Sequence, residues 1–387
     1  MINIFFIGLV SFFTDISTEM VYPLIPLYLT SAFGATPALV GLIEGIAESL
    51  ASLLKVFSGY LTDRFQKKKL IAFSGYAPGL LYKLALIFAG SWLGVLGARV
   101  IDRIGKGIRT SPRDVLVSES AGSENMGKAF GLHKALDMFG AGLGILIVYI
   151  LMRSSGGSYD YKRLFALSMI PAVLGLFMFI FVKEKKQAGE RANREPFWKN
   201  ISKIDVQLKL YLLVVFIFTL GNSSNAFLIL KAKASGFDET NVILLFLIYH
   251  VVAAALSMPL GKLSDIIGRK NLLVPGYIIF ALCYFGFAFA GTKPAMLAVF
   301  ASYGVYTAMI TGVERAFVAE IAPRDLKGTM LGLHSTVAGI ALLPASVIAG
   351  LLWNIFGDVV PFVFGACMSV IAAALLLAFM KGRKPAC

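Results

Sequence analysis

The feature that most constrains this chain is a series of long apolar segments that recurs from one end of the sequence to the other. About twelve of them are long enough to cross a bilayer, which takes roughly 20 consecutive apolar residues in a helix. Of the 387 residues, 58% are hydrophobic and only 15% are charged. This composition excludes an ordinary soluble domain. The sequence therefore predicts an all-α integral membrane protein with about twelve transmembrane helices.

The predicted spans end where apolar residues give way to charged and turn residues. The first span begins near the start of the sequence, and no cleavage-site pattern follows it. It also carries Asp15 and Glu19, so it is not a signal peptide. The predicted spans are 3–32, 37–63, 70–91, 93–113, 127–152, 162–182, 208–231, 240–264, 271–291, 294–320, 328–353 and 359–380.

Lys and Arg residues concentrate in alternate connections between the spans. They cluster around Lys67, after Lys183 and in the tail after Lys381, whereas the connections 31–36 and 353–358 contain almost none. By the positive-inside rule, both termini and the long middle connection face the cytoplasm of a bacterial cell, and the spans lie in its cytoplasmic membrane. The net charge of +14 therefore reflects topology and does not indicate a nucleic-acid partner.

The two halves of the chain repeat one another. The segment Gly59–Lys69 matches Gly261–Asn271, and Gly127–His133 matches Gly328–His334. Because the matching segments occur in the same order and on the same predicted side, the sequence indicates a parallel repeat of two six-helix bundles, with a solute site between them near the midplane. The predicted parts are an N-terminal bundle over 1–182, a cytoplasmic linker over 183–207, and a C-terminal bundle with a short cytoplasmic tail over 208–387.

Three motifs resemble those of the major facilitator superfamily. Gly59-Tyr-Leu-Thr-Asp-Arg-Phe-Gln-Lys-Lys-Lys69 resembles its first cytoplasmic-loop motif, with Gln66 in place of a Gly, and Gly261–Lys270 is a second copy. Arg103–Gly107 is similar to the fourth-helix motif Arg-x-x-Gln-Gly, with Lys106 in place of the Gln. Gly140-Ala-Gly-Leu-Gly144 weakly resembles the glycine-rich antiporter motif but lacks its Pro. The resemblance covers the whole chain and implies a bacterial transporter that works by alternating access.

The loop motif also predicts a cytoplasmic gate. A carboxylate at the end of a helix can accept hydrogen bonds from a neighbouring helix N-terminus, and the basic residues beside it can pair with acidic residues at the end of the fourth helix. Contacts that form in one state only would bias alternating access. The alternative is a basic loop that only sets topology. The predicted gate residues are Gly59, Asp63, Arg64, Lys67, Asp114, Gly261, Asp265 and Arg269.

A charged stripe marks the fourth span. Arg99, Asp102, Arg103 and Lys106 fall at i, i+3, i+4 and i+7, which is one face of a helix. A charge at the bilayer centre costs about 2.5–3.5 kcal/mol on insertion scales, so these groups need partners or water. Two interpretations remain open: internal ion pairs that lock helices together, or a water-filled solute path. In the second, the basic residues could grip an organic anion.

Six acidic residues within spans are candidate proton carriers. Asp15 and Glu19 share one helix face, and Glu44 and Glu48 repeat the same spacing on the second span. Two carboxylates held close together at low dielectric favour a shared proton. The alternative is permanent neutralisation by Lys55, Lys83 or the charged stripe. The six candidates are Asp15, Glu19, Glu44, Glu48, Asp102 and Asp137.

The second half carries fewer charges within its spans. Its predicted path-lining residues are polar groups on spans seven, eight and ten, of which His250 can titrate near neutral pH. His133 and His334 lie nearer the helix ends and are predicted to be gate or capping residues. The predicted set is Asn222, Asn225, His250, Thr311 and Glu314.

Several functions are excluded by the residues. The sequence has no Walker loop, no Gly-x-Ser-x-Gly elbow and no metal-ligand spacing among its Cys and His residues, so no enzyme, cofactor or metal is predicted. The sequence predicts a monomeric secondary active transporter of a small organic solute, coupled to protons and exporting by antiport. The alternatives are an importer or exchanger of organic anions held by the fourth helix, and a membrane sensor without transport.

Overall fold

The computed structural model describes residues 2–65, 67–121, 126–157, 159–184, 205–322 and 327–380, with the side chains at 56, 59–65, 126–128 and 327–329 outside that description. Within these ranges every regular element is helical. The all-α prediction is confirmed. Long apolar segments form helices because a membrane supplies no partners for backbone N–H and C=O groups, and a helix satisfies them within one segment.

The helices of the first half of the chain run from Ile2 to Met178. The short 3₁₀ helix Phe179–Phe181 follows them. Its helices are α1 (Ile2–Glu19), α2 (Leu24–Phe33), α3 (Pro37–Phe65), α4 (Lys68–Tyr76), α5 (Pro78–Phe88), α6 (Trp92–Ala121), α7 (Met126–Ser154) and α8 (Tyr161–Met178).

The second half follows the same alternation of long and broken helices. Its helices are α9 (Val206–Gly221), α10 (Ala226–Ala234), α11 (Glu239–Ile267), α12 (Arg269–Phe289), α13 (Lys293–Ile310), α14 (Val313–Ile321), α15 (Lys327–Phe356) and α16 (Val360–Phe379).

Each predicted span corresponds to one helix or to one pair of helices. Most boundaries agree within about three residues, the usual uncertainty of helix ends. The fourth span is the exception, because it was predicted to end at residue 113 and α6 continues to Ala121. Among the described residues, 11 helical segments are long and apolar enough to cross a membrane. Helix α6 is not one of them, because Arg, Lys and Asp interrupt its apolar residues.

Four predicted spans are discontinuous, which the sequence prediction missed. Helix α1 ends at Glu19, just before Pro23, and α9 ends at Gly221, before the segment 222–225. The other two breaks separate α4 from α5 and α13 from α14. Non-helical backbone at membrane depth is tolerated only where protein covers it or where it lines a cavity. The first and seventh spans break at corresponding places of the two halves, a pattern that points to a solute site.

The chain divides into two compact units. The N-terminal unit contains Met1–Ala35 and Ile46–Arg194, and the C-terminal unit contains Thr36–Gly45 and Glu195–Cys387. Helix α3 therefore contributes to both, with its first residues grouped with the C-terminal unit. The predicted bundles over 1–182 and 208–387 remain a prediction. Most of the predicted linker 183–207 and the tail after residue 380 lie outside the described residues.

Helices α1 and α7 pack closely in the N-terminal unit. A Cβ atom on Gly140 would meet the backbone of Phe12, and a Cβ atom on Gly144 would meet the backbone of Ile16. Both contacts advance by four residues in the same direction, so the two helices run parallel in a fixed register. This close approach needs glycine, as is common where membrane helices cross. It brings the polar face of α1 beside that of α7.

Candidate functional site

Two arginines of α6 form a buried ion-pair network in the N-terminal unit. Arg99, Asp102 and Arg103 are 0%, 3% and 1% exposed. Arg103 Nη2 lies 3.1 Å and Arg99 Nη2 lies 3.8 Å from Glu48 Oε1. Asp102 Oδ2 lies 3.4 Å from Arg103 Nε and 3.7 Å from Arg99 Nη1. The two guanidinium groups and two carboxylates compensate one another, which offsets the cost of burying them.

Of the other cations on α5 and α6, Lys83, Lys106 and Arg109 have no carboxylate within 4.0 Å among the described residues. Lys83 is 1% exposed, and its Nζ donates a hydrogen bond to the Gly79 carbonyl at 3.0 Å, within its own helix. Arg109 is 6% exposed, with its Cζ 4.8 Å from the centre of the Tyr76 ring. Lys106 is partly exposed. The network of Arg99 and Arg103 is already neutral, so these three cations leave positive charge that no carboxylate matches at close range within the described part of the chain.

Two carboxylates of α1 lie in the field of these cations. Asp15 and Glu19 are partly buried, and Glu19 is the last residue of α1, at the break before α2. Glu19 interacts electrostatically with Asp15, Lys106 and Arg103. Its Oε2 atom is buried and has no hydrogen-bond partner among the described residues. A buried, unpartnered carboxylate oxygen is costly, and a proton or a ligand relieves that cost.

A chain of hydrogen bonds links α7, α1 and α4 one turn away from these carboxylates. Ser11 Oγ lies 2.9 Å from His133 Nε2 and 3.1 Å from the Tyr76 hydroxyl oxygen. His133 Nδ1 lies 3.7 Å from Asp137 Oδ1, which is buried without a hydrogen-bond partner among the described residues. Asp15 interacts electrostatically with Asp137. The sequence predicted Asp137 for the path and His133 as a gate or capping residue, and it missed Ser11 and Tyr76.

In the C-terminal unit, polar residues gather at the break between α9 and α10. Asn222 Nδ2 donates a hydrogen bond to the Tyr306 hydroxyl at 3.1 Å, and Asn225 Oδ1 accepts one from the Tyr303 hydroxyl at 3.0 Å. Glu44, at the start of α3, is 1% exposed and accepts a hydrogen bond from Ser224 Oγ at 3.4 Å. The structure thus brings three predicted residues of this unit to the same break.

The other three predicted residues of this unit make local contacts. Glu314 Oε1 accepts a hydrogen bond from the Tyr277 hydroxyl at 2.9 Å. His250 Nδ1 lies 3.0 Å from the Phe246 carbonyl, and Thr311 Oγ1 donates to the Thr307 carbonyl, both one turn back in the chain. Helix α13 ends at Ile310 and α14 begins at Val313, so Thr311 lies between the two helices and Glu314 lies in the first turn of the second. Their roles in a path remain predictions.

The second copy of the loop motif forms a charge cluster. Arg269 Nη2 lies 3.2 Å from Asp265 Oδ1, and Arg269 Nη1 lies 2.9 Å from Glu320 Oε2 at the end of α14. The same Nη1 donates a hydrogen bond to the Ala316 carbonyl at 3.2 Å. A Cβ atom on Gly261 would meet nothing within 4 Å. The cluster ties the start of α12 to the end of α14.

The first copy is described only in part. The side chains of Gly59, Asp63 and Arg64 lie outside the described residues, and Lys67 is exposed. Asp114 Oδ1 pairs with the adjacent Arg113 at 2.9 Å. In the basic run, Lys68 forms a salt bridge with Glu119, near the end of α6, and the Lys68 backbone N–H donates to Glu184 at 2.6 Å. The expected pairing of this run with the end of the fourth helix thus involves Glu119.

Comparison with known proteins decides the family. The sequence model of the Major Facilitator Superfamily matches residues 7–231 and again residues 210–386. The chain belongs to the major facilitator superfamily. The uncharacterized MFS-type transporter MJ1317 of Methanocaldococcus jannaschii is 36% identical over 383 residues, which cover 97% of this chain and 94% of that protein. The predicted membership is confirmed.

Solved structures agree with this fold. The nucleoside transporter NupG superposes with a TM-score of 0.78 at 13% identity, over 98% of this chain and 99% of that one. A D-xylose–proton symporter superposes with a TM-score of 0.75 at 18% identity, over 98% and 97% of the two chains. At these identities the likeness concerns the fold alone. As a member of the major facilitator superfamily, the chain is a multi-pass membrane protein that performs secondary active transport of a solute.

The helix breaks left signals in the sequence. Pro23 lacks a backbone N–H and fixes its own φ, so it interrupts the first span just after Glu19. Gly221-Asn-Ser-Ser-Asn225 combines residues that compete with helical hydrogen bonds, and it interrupts the seventh span. In this superfamily member, the first signal points to Glu19. The second points to the two asparagines, Asn222 and Asn225. The chain from His133 to Tyr76 left no comparable signal, because it joins three separate helices.

Proposed function

We propose that this transporter couples solute movement to protons, and that Asp15 and Glu19 carry the proton. The observation that carries the proposal is the buried Glu19 Oε2 atom, which has no hydrogen-bond partner among the described residues. Glu48 and Asp102 are poorer candidates, because Arg99 and Arg103 hold both. A salt-bridged carboxylate resists protonation, whereas a buried and unpartnered one favours it.

Glu19 can be ionised or protonated, and the two forms interact differently with α6. Ionised Glu19 attracts Lys106 and Arg103 of α6, and protonated Glu19 does not. A proton bound at Glu19 therefore changes how strongly the end of α1 is held against α6. A ligand shifts a conformational equilibrium only through such a difference between states. The location of Glu19 at a helix break allows this difference to act on α2 as well as on α1.

We propose further that the solute leaves the cell in exchange for entering protons. The support is the glycine-rich sequence around Gly142, the close α1–α7 packing at Gly140 and Gly144, and the electrostatic interaction of Asp15 on α1 with Asp137 on α7. The one-sided distribution of Lys and Arg supports a bacterial cytoplasmic membrane with both termini in the cytoplasm. A monomer, with no enzymatic activity and no resident cofactor, completes the proposal.

Reconstituted vesicles test coupling and direction together. The purified protein is placed in liposomes that contain a pH-sensitive dye, a pH gradient is imposed, and sugars, amino acids, nucleosides, carboxylates and organic cations are added in turn. Antiport accumulates a solute on the acidic side and dissipates the gradient, whereas symport accumulates it on the alkaline side. Proton coupling would be overturned if one of these solutes is transported while the dye signal stays constant and the rate of transport does not depend on the pH gradient. Accumulation on the alkaline side would overturn export by exchange.

A second candidate function is import or exchange of an organic anion. The sequence placed an anion clamp at Arg99, Arg103 and Lys106, but the first two are engaged with carboxylates. The observation that favours this candidate is that Lys106 and Arg109, three residues apart on α6, have no close carboxylate in the ranges that the structure describes. A solute carboxylate or phosphate would supply the missing negative charge. Uptake of benzoate, succinate or a sugar phosphate that is lost in Lys106→Gln would support it, and transport of cations alone would contradict it.

A further inference from the structure

We propose that His133, Ser11 and Tyr76 form the route by which a proton reaches and leaves the Asp15–Asp137 pair. This inference rests on the proton coupling proposed above and assigns that coupling a path. His133 and Ser11 are 3% and 2% exposed, and Tyr76 is 4% exposed. Ser11 and His133 exchange protons only through their neighbours, and Tyr76, the most exposed of the three, is the member that exchanges with water. Each also has a polar atom in contact with the next member.

The contacts form one continuous sequence. Asp137 Oδ1 lies 3.7 Å from His133 Nδ1, His133 Nε2 lies 2.9 Å from Ser11 Oγ, and Ser11 Oγ lies 3.1 Å from the Tyr76 hydroxyl oxygen. Imidazole and hydroxyl groups both donate and accept hydrogen bonds, so every link can run in either direction. The first gap is longer than a hydrogen bond and closes with a small movement of a side chain.

This chain lies beside Asp137, which interacts electrostatically with the proposed proton carrier Asp15. Ser11 contacts His133, and Asp15 and Asp137 each follow one of these two residues by four positions, about one helical turn. At a rise of 1.5 Å per residue, Ser11, Tyr76 and His133 lie roughly 10–14 Å along their helices from the first residue of each. The chain thus lies between the carboxylate pair and the helix ends.

The proton count balances at every step. His133 begins neutral, with its hydrogen on Nε2. A proton passes from Asp137 Oδ1 to His133 Nδ1, the Nε2 hydrogen passes to Ser11 Oγ, and the Ser11 hydroxyl hydrogen passes to the Tyr76 oxygen. The Tyr76 hydroxyl hydrogen passes to water. Each intermediate group gains one proton and loses one, so only Asp137 is deprotonated.

Charged groups of both signs surround the chain. His133 faces Asp137 and Lys134 from its own helix, Arg113 and Asp114 from α6, and Ser11 from α1. The Arg109 guanidinium stacks on the Tyr76 ring from α6, and Tyr76 also lies in the field of Arg113 and Asp137. Because His133 is only 3% exposed, its burial disfavours a lasting imidazolium, as a relay requires. A proton moves through without being retained.

The test follows the proton itself and needs no solute. Purified protein in lipid nanodiscs is subjected to a pH jump, and the C=O band of protonated carboxylic acid is followed by time-resolved infrared spectroscopy. Asp15→Asn and Asp137→Asn, each of which removes one carboxyl group, show which residue gives rise to the band. We expect Tyr76→Phe, Ser11→Ala and His133→Gln to slow its relaxation at least about tenfold, within the range usual for the loss of a positioned proton-transfer group. The equilibrium midpoint of the band should stay close to that of the wild type in Tyr76→Phe, which keeps the ring on Arg109.

Matched controls separate a relay from a structural role. Ser17→Ala removes another buried α1 hydroxyl, which donates to the Ser168 carbonyl, and Tyr28→Phe removes another buried tyrosine hydroxyl, which donates to the Ala89 carbonyl. Both should relax at the wild-type rate. Wild-type relaxation in folded Tyr76→Phe and Ser11→Ala would overturn the route, as would equal slowing in both controls. A wild-type protein without any titrating band at Asp15 or Asp137 would instead overturn the proposed proton carriage.

Discussion

Arg103 Nη2 lies 3.1 Å from Glu48 Oε1, and this contact divides the basic residues of α6 into two groups. Arg99 and Arg103 are held by Glu48 and Asp102 and fix α6 against α3 within the N-terminal unit. Lys106 and Arg109 have no carboxylate at such a distance among the described residues. The sequence left open whether the stripe is an ion-pair lock or a solute path. The distances favour an ion-pair lock at Arg99 and Arg103. They leave Lys106 and Arg109 as candidates for a solute path.

Arg103→Gln should therefore destabilise the protein. The change leaves Asp102, which is 3% exposed, and Glu48 short of a partner. Breaking a buried pair costs about 3–5 kcal/mol, and we expect the lower end because the Glu48 side chain is 26% exposed. The measurement is the melting temperature of the purified protein in detergent. Arg103→Lys, which keeps the charge without the two-pronged geometry, should lose less stability. An unchanged melting temperature in Arg103→Gln would contradict the lock.

Lys106→Gln should affect solute transport more than stability. Lys106 has no carboxylate within 4.0 Å among the described residues, so removing its charge leaves no buried anion at contact distance. We expect a melting temperature equal to or above that of the wild type, together with a marked loss of solute flux in vesicles. A fall in melting temperature as large as that of Arg103→Gln would show that Lys106 belongs to the lock.

Gly140→Ala should loosen the packing of α1 on α7. The added Cβ atom would meet the backbone of Phe12, and overpacking of this kind costs about 1–3 kcal/mol. Gly142→Ala is the matched control, since a Cβ atom there meets nothing within 4 Å. Melting temperatures of the two variants, measured side by side, check this prediction. Equal values would contradict the assigned register of α1 and α7.

Much of the fold could be predicted from the sequence, because hydropathy and length depend on local composition. All twelve spans were located, and the superfamily was identified from the motifs at Gly59 and Arg103. The pairing of Arg103 with Glu48 could not be predicted, since it depends on which helices pack together. The contact between Ser11 and His133 depends on the α1–α7 register, which residues 122 positions apart in the chain do not reveal. The helix break after Glu19 was foreseeable from Pro23 but was missed.

Arg269→Gln should impair transport more than folding. Arg269 joins Asp265 to Glu320 in the second loop motif, at positions that are partly exposed, so water can compensate for much of the lost stability. A gate contact would nevertheless be lost, and the balance between transporter states would shift. Solute flux, expression level and melting temperature are compared with those of Lys262→Gln, an exposed residue of the same motif. Normal flux in Arg269→Gln would exclude a gating role for the cluster.

The central claim is that Asp15 and Glu19 couple solute movement to protons. The most direct measurement compares wild type with the Asp15→Asn/Glu19→Gln double variant in vesicles, using a solute that the wild type accumulates against its own gradient. Each protein is assayed once with an imposed pH gradient and once for exchange of labelled for unlabelled solute without a gradient. The account predicts that the double variant exchanges solute and does not accumulate it. Accumulation by the double variant to the wild-type level would contradict the account.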